Sequence, residues 1–356
     1  MMRLYLIGFL FACIPATIAQ PVDPVKIGLL IQDKTSLAAK QGAELAVKNA
    51  NKNGGLNGRP FLLVVKSMEG PWGTGSKQAV DLIWNHKVWA LIGSHDGRNA
   101  HLVEQAATRS IVVFISAWSS DPTLSQAFVP WFFNCVPNDR QQADALVNEI
   151  YERRKLSGII TISDNAYDSN LAFKNFVMSL KEAGKPQPVQ YRYEDYSSRI
   201  DELANQIKQK NAGAIALFCS PATTLKLIRL FKKHSISLPV YSPLSVLDEN
   251  ALSQAELQEC SSALLVPRIQ LPGARKTAFQ LEYQRMHGET PGLVAAYAFD
   301  ATNILIEAMR IAGSPDREKL QQALSSIRHE GVTGTVHFDD KGNRKGVLVV
   351  SSLPVN

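Results

Sequence analysis

The chain has few cysteines and no long apolar run after its first twenty residues. Of four cysteines in 356 residues, Cys13 falls in that opening stretch and Cys135, Cys219 and Cys260 remain. An odd number of thiols excludes a disulfide-stapled scaffold and allows at most one bridge. Cys219 ends the apolar run Ala214 to Phe218 and reads as a buried small hydrophobe. No later segment approaches the roughly 20 unbroken apolar residues of a membrane helix, so the expectation is a soluble mature chain. A surplus of one charge is missing too: 38 Lys and Arg stand against 32 Asp and Glu, a net charge of +6. The basic residues gather no further than Arg153-Arg154-Lys155 and do not alternate with aromatics, so no nucleic-acid partner is expected. There is no glycine-rich phosphate loop, no G-x-S-x-G elbow and no H-E-x-x-H. The most metal-like grouping, His95-Asp96 with His101, lacks the i, i+4 pair that zinc sites favour. The expectation is therefore no metal, no cofactor and no catalysis.

The N-terminus carries an export pattern. Arg3 precedes the apolar stretch Leu4 to Ala12, and Thr17-Ile18-Ala19 places small residues at the two positions that signal peptidase inspects. Residues 1–19 read as a cleaved signal peptide of a periplasmic protein. A second reading takes Leu10-Phe11-Ala12-Cys13 as a lipoprotein box, with Cys13 as the lipid anchor. About 337 residues remain after the leader, more than one hydrophobic core usually organises, so two domains are expected.

From Val25 to about Val266, short apolar runs alternate with stretches of helical period, the pattern of βα units feeding a parallel sheet. Ile27 to Ile31, Phe61 to Val65, Val88 to Ile92 and Ile111 to Ile115 are near-continuous, as in strands buried on both faces. Between the first two, Ala39, Ala43, Ala46 and Ala50 give one helix a small-residue face for close packing. Asn53-Gly54-Gly55 ends that helix. After Pro137 the rhythm restarts: helix from Asp139 to Arg154, then strands at Gly158 to Ile162, Val189 to Tyr193 and Ala214 to Phe218, with helices between. Leu227, Leu230, Phe231 and His234 share one helical face, which reads as core packing. From Ala274 helices follow one another without strands, so the chain is expected to return to the first domain. Thr335 to Phe338 and Lys345 to Val350 flank the turn Asp339-Asp340-Lys341-Gly342-Asn343, a hairpin signal. The fold class expected is α/β: two doubly wound parallel-sheet lobes joined by hinge crossings.

An ordered series of short matches then points to a family. Gly42-Ala43-Glu44-Leu45-Ala46, Gly54-Gly55-Leu56-Asn57-Gly58-Arg59, Lys77-Gln78-Ala79-Val80, Leu91-Ile92-Gly93, Val136-Pro137-Asn138-Asp139, Tyr297-Ala298-Phe299-Asp300-Ala301 and Phe338-Asp339-Asp340-Lys341-Gly342-Asn343 follow one another along nearly the whole mature chain. The series resembles the type I periplasmic binding proteins, in particular the leucine/isoleucine/valine-binding branch that serves ABC transporters. The resemblance implies three crossings between lobe 1 (20–136 plus 267–331) and lobe 2 (137–266 plus 332–356). It implies a monomeric receptor that closes on a small carboxylate-bearing solute (an amino acid, a derivative or an aromatic acid) and hands it to an inner-membrane ABC permease. The alternative is a ligand-sensing module of the same fold acting through a partner protein.

The resemblance also assigns candidate ligand residues. Gly97 and Ser120 correspond to positions that hold the ligand carboxylate; the loop from Ser94 to Asn99 opens a helix whose N–H groups suit an anion. Ser120 equally suits a cap of the turn before Asp121-Pro122. Asp139 matches a cleft position that attracts a ligand ammonium, and equally suits a helix cap. Tyr167 matches an aromatic of the second lobe that covers the ligand. Leu244 stands where amino-acid binders carry an acid, so the ammonium cage lacks one charge, which argues against an ordinary α-amino acid. Trp118 either stacks on a planar ligand or fills the space left by the short loop Gln32 to Ser36. Arg98, beside the helix start, either pairs with a carboxylate or is solvated. Asp96, Ser119 and Ser220 complete the candidate set.

Overall fold

The alternating runs become two parallel sheets because each run is too short to bury itself alone and must stack beside the next. The computed structural model describes residues 23–93, 96–126, 129–269 and 273–352. The leader reading and Cys13 lie outside the described residues. In the first half the order is β1 (Val25–Ile31), α1 (Ala38–Lys52), β2 (Phe61–Ser67), α2 (Thr74–Trp84), β3 (Ala90–Gly93), α3 (Gly97–Arg109), β4 (Val113–Ser116) and β5 (Phe132–Asn134). These strands form an all-parallel sheet in the order β2-β1-β3-β4-β5, with Ile27 beside Leu63 on one neighbour and Ala90 on the other.

Crossing at Val136-Pro137, the chain continues through α4 (Asp139–Val147), β6 (Ile159–Ser163), α5 (Tyr167–Glu182), β7 (Val189–Arg192), α6 (Ile200–Lys208), β8 (Ala214–Phe218), α7 (Pro221–Lys233), β9 (Val240–Tyr241), α8 (Gln254–Ala263) and β10 (Leu264–Ile269). Then come α9 (Gly273–His287), α10 (Leu293–Ala312), α11 (Arg317–Ser326), β11 (His329–Gly331), β12 (Gly334–Val336) and β13 (Leu348–Ser351). The second sheet has the order β13-β10-β9-β8-β6-β7, parallel except where β13 runs against β10. The three helices α9 to α11 pack on the first half: α9 and α10 against α1, α10 against β3 and α11 against β4. Among the described residues, no helix is long and apolar enough to cross a membrane.

Packing follows the alternation. Leu29, Leu30, Leu91, Ile92, Phe114 and Ile115 are fully buried, each such side chain contributing about 1.5–3 kcal/mol. The alanine face of α1 meets α10, which begins Leu293-Val294-Ala295-Ala296. Contact there is so close that a Cβ on Gly42 would lie 2.1 Å from the Ala295 carbonyl oxygen. Cys135, Cys219 and Cys260 are buried and free, and burial pushes the Cys135 thiol up to about 12.

Two strand expectations need correction. β2 is not covered on both faces: it is the sheet edge, Phe61 is its one buried residue, and Leu62 is 45 % exposed. The C-terminal hairpin is also shorter than its pattern. Phe338 bridges Arg344 across the Asp339 to Asn343 turn, but Leu348–Ser351 leaves to extend the second sheet, and β12 pairs with β11. A sheet edge on β10 offers a full ladder with a buried Val350, which two partly exposed arms do not.

The turn residues instead lock the crossings together. Asn134 donates its N–H to the Gly342 carbonyl at 2.8 Å, and Asn138 donates its side-chain amide to Asn343 Oδ1 at 3.0 Å. The buried Arg344 guanidinium donates to the Cys135 carbonyl and Thr333 Oγ1, both at 2.8 Å, and to the Thr333 carbonyl at 3.0 Å. Its flat face lies 5.6 Å from the Tyr297 ring centre. Asp300 accepts the N–H groups of Val332 at 2.8 Å and Thr333 at 2.7 Å. The sequence signatures around Tyr297-Asp300 and Phe338-Asn343 therefore meet at one place, the hinge.

Candidate ligand cleft

The loops at the carboxyl ends of both sheets face each other, the place where open α/β folds build their sites. Between them lies a cavity of about 750 Å³, within the usual range for small-molecule sites. Gln32, Met68, Trp72, Asp96, Arg98 and Trp118 line it from the first half. From the second half come Asn165, Tyr167, Asp168, Ser220, Ser245, Asp248 and Asn250.

Of the ten candidate residues, the structure brings Asp96, Arg98, Trp118, Tyr167 and Ser220 to the cavity wall. Asp96 caps α3, accepting the Asn99 N–H at 2.9 Å. Arg98 is exposed on the first turn of α3, and its guanidinium carbon lies 4.8 Å from the centre of the Tyr167 ring. Among the described residues no carboxylate lies within ion-pair distance of it, although its charge acts on Asp168, and it lines the cavity. Trp118 is only 5 % exposed and meets Tyr297 edge-on with ring centres 5.9 Å apart. Of its two readings, the space-filling one fits this placement.

Gly97, Ser119, Ser120, Asp139 and Leu244 do not line the cavity; they lie buried behind it. Asp168, directly after Tyr167, crosses from the second half and accepts the Gly97 N–H at 3.0 Å. The amide expected to receive a ligand carboxylate thus already holds a carboxylate of the chain. Ser120 accepts the Asp139 N–H at its carbonyl, 2.7 Å away, while Asp139 Oδ1 is buried with no hydrogen-bond partner among the described residues. Burial, with Asp168 and Asp121 nearby, drives the Asp139 carboxyl well above the usual range. Asp139, expected to face a ligand ammonium, is 3 % exposed and stands off the cavity wall. Asn138, not Asp139, caps α4, in a capping box with Gln141. Leu244 is 1 % exposed, with its N–H held by Gln142 Oε1 at 2.8 Å.

Other contacts tie the halves together. The Tyr167 hydroxyl lies 3.5 Å from Asp121 Oδ2. Asp121 is buried, yet His101 at 3.2 Å and the Thr123 hydroxyl hold its carboxyl below the usual range; the same contact raises His101. His101 is thus engaged by Asp121 and Thr123, while His95 of the same sequence grouping lies outside the described residues; no cluster of metal-ligating side chains occurs among the described residues. Glu249 of the second half accepts the N–H groups of Val294 at 2.9 Å and Ala295 at 2.7 Å, at the start of α10. Its neighbour Asn250 accepts the Ala38 N–H at the start of α1, 3.1 Å away. Burial pushes both Asp168 and Glu249 up to about 7. Residue reading missed Trp72, Asp168, Asp248 and Glu249. Only Trp72, set between Gly70-Pro71 and Gly73, carried a local signal: a large aromatic in a turn.

Comparison with known proteins agrees with this fold. A family model described as periplasmic binding protein matches residues 24–348. The leucine-, isoleucine-, valine-, threonine- and alanine-binding protein of Pseudomonas aeruginosa is 21% identical over 311 residues, covering 86% of this chain and 82% of that protein. The branched-chain amino acid substrate-binding protein LivJ of Streptococcus pneumoniae, solved with isoleucine, superposes with a TM-score of 0.78 at 19% identity, covering 93% of this chain and 96% of that one. A solute-binding protein of an ABC transporter from Rhodopseudomonas palustris, solved with 3,4-dihydroxybenzoic acid, gives a TM-score of 0.77 at 16% identity, covering 92% and 93%.

Proposed function

The chain belongs to the periplasmic binding protein family, and from that premise we propose that its cleft captures a small solute bearing one carboxylate, which Arg98 receives. It is a solute-binding receptor and not an enzyme. The carrying observation is the Arg98 guanidinium, stacked on Tyr167 at 4.8 Å and with no carboxylate within ion-pair distance among the described residues. A guanidinium edge presents two parallel donors that match a carboxylate, and the ring behind it fixes their direction. Three acids, Asp33, Asp96 and Asp248, share the wall with this one arginine, beside Asp168, which is pushed up to about 7 and already accepts the Gly97 N–H. They favour a solute with one negative group and with hydroxyl or ammonium donors, and they repel dicarboxylates. Isoleucine and 3,4-dihydroxybenzoic acid, bound by two structural relatives, have that make-up.

We further propose that the lobes are 20–136 plus 267–331 and 137–266 plus 332–356, and that a monomer delivers its solute to an inner-membrane ABC permease. Export through residues 1–19, with or without lipid at Cys13, belongs to the same reading. A thermal-shift screen of monocarboxylates and dicarboxylates tests the ligand class. At one hundred times its dissociation constant, a true ligand adds about 2.7 kcal/mol to stability. Arg98→Ala removes charge-assisted bonds of about 1.5–3 kcal/mol, a loss of roughly tenfold to a hundredfold in affinity. Unchanged carboxylate binding by that variant sinks the assignment.

A further inference from the structure

Trp72 leaves 77 % of its surface in water while lining the same cavity as Arg98. It belongs to the turn Gly70-Pro71-Trp72-Gly73, which joins β2 to α2. Gly70 and Gly73 hold φ angles of 143° and 90°, a region that L side chains rarely adopt. Nothing lies within 4 Å of where a Gly73 Cβ would sit, so the glycine serves the turn and not packing. The Thr74 hydroxyl closes that turn on the Pro71 carbonyl at 2.7 Å. The result is a braced turn that carries one large, mostly exposed indole to the cavity wall. Trp118, the other tryptophan of the wall, is committed to Tyr297 and nearly buried. Trp72 is therefore the indole of this wall with a face to offer.

An aromatic side chain has 150–250 Å² to bury and gains a further increment against another ring. On the carboxylate reading the Arg98–Tyr167 stack receives the ligand carboxylate, and Trp72 lines the same cavity. We propose that Trp72 is a specificity-determining residue, and that the solute is a planar aromatic carboxylate whose ring it covers. The proposal rests on the carboxylate reading given above and narrows it. An aliphatic acid of equal size gains less from the same contact, because its puckered ring cannot lie flat on the indole.

Titration calorimetry with benzoate, 3,4-dihydroxybenzoate, cyclohexanecarboxylate and isoleucine, on the wild type, Trp72→Ala, Trp72→Phe and Arg98→Ala, tests it. The expected result is that Trp72→Ala weakens the two benzoates about tenfold or more and Trp72→Phe restores most of that loss. The wild type binds both aliphatic acids more weakly than benzoate, and neither changes more than about twofold with Trp72→Ala. Melting temperature without ligand stays the same, since the side chain is exposed. Equal losses for aromatic and aliphatic acids, no loss at all, or no binding of the benzoates to the wild type overturns the proposal. In each of those cases, aliphatic carboxylates that still depend on Arg98 leave the broader reading standing.

Discussion

Glu249→Gln separates two forces acting on one carboxyl group. The N-terminus of α10 attracts a negative charge, and Glu249 accepts two N–H groups there at 2.9 and 2.7 Å. Burial opposes ionisation and wins, with Asp248 adding repulsion, so the carboxyl rises from an ordinary value near 4.5 to about 7. Folded protein therefore holds a proton between those values that the unfolded chain releases. The resulting stability is complete below about pH 4.5 and disappears as pH rises through 7. Between pH 8 and pH 5 the change is on the order of 2 kcal/mol. Glutamine keeps one acceptor and does not titrate. Urea unfolding of wild type and variant at both pH values measures the effect, because Asp168 and every other group cancel in the difference. The wild-type advantage should grow by that amount on going from pH 8 to pH 5. An equal gap at both would show that the folded carboxyl has not risen above its ordinary value, so that the helix terminus balances or outweighs burial.

Two further outcomes follow from the packing. Gly42→Ala places a methyl 2.1 Å from the Ala295 carbonyl oxygen, and α1 and α10 must part, at a cost of about 1–3 kcal/mol readable as a lower urea midpoint. Arg344→Ala removes a buried cation that serves Cys135 and Thr333 at the hinge and leaves Asp300 nearby without its opposite charge; about 3–5 kcal/mol is lost, and Arg344→Lys, lacking the forked donors, recovers little in the same unfolding assay.

The alternating runs from Val25 to Val266 made two βα sheets legible, since a strand buried on both faces must be apolar throughout. The alanine spacing of α1 was legible for the same kind of reason: side-chain size limits how near two helices come. Edge position was not. β2 has as apolar a sequence as its neighbours, and only strand order leaves it uncovered. The C-terminal strand misled for a similar reason, because β10 competes for it from a distant part of the chain. In the cleft, Arg98 and Tyr167 were readable as candidates one by one, but their stacking joins residues on α3 and α5.

By itself the sequence determined what periodicity and residue type can carry: strands, helices, their alternation, the return of the last helices, and the absence of catalytic motifs. Tertiary structure alone decided which groups face one another across the gap. Asp168 on the Gly97 amide, Glu249 on α10 and the raised Asp139 carboxyl each depend on burial and on groups far along the chain. Charge interactions follow distance in space and local dielectric, and neither quantity is written in the order of residues.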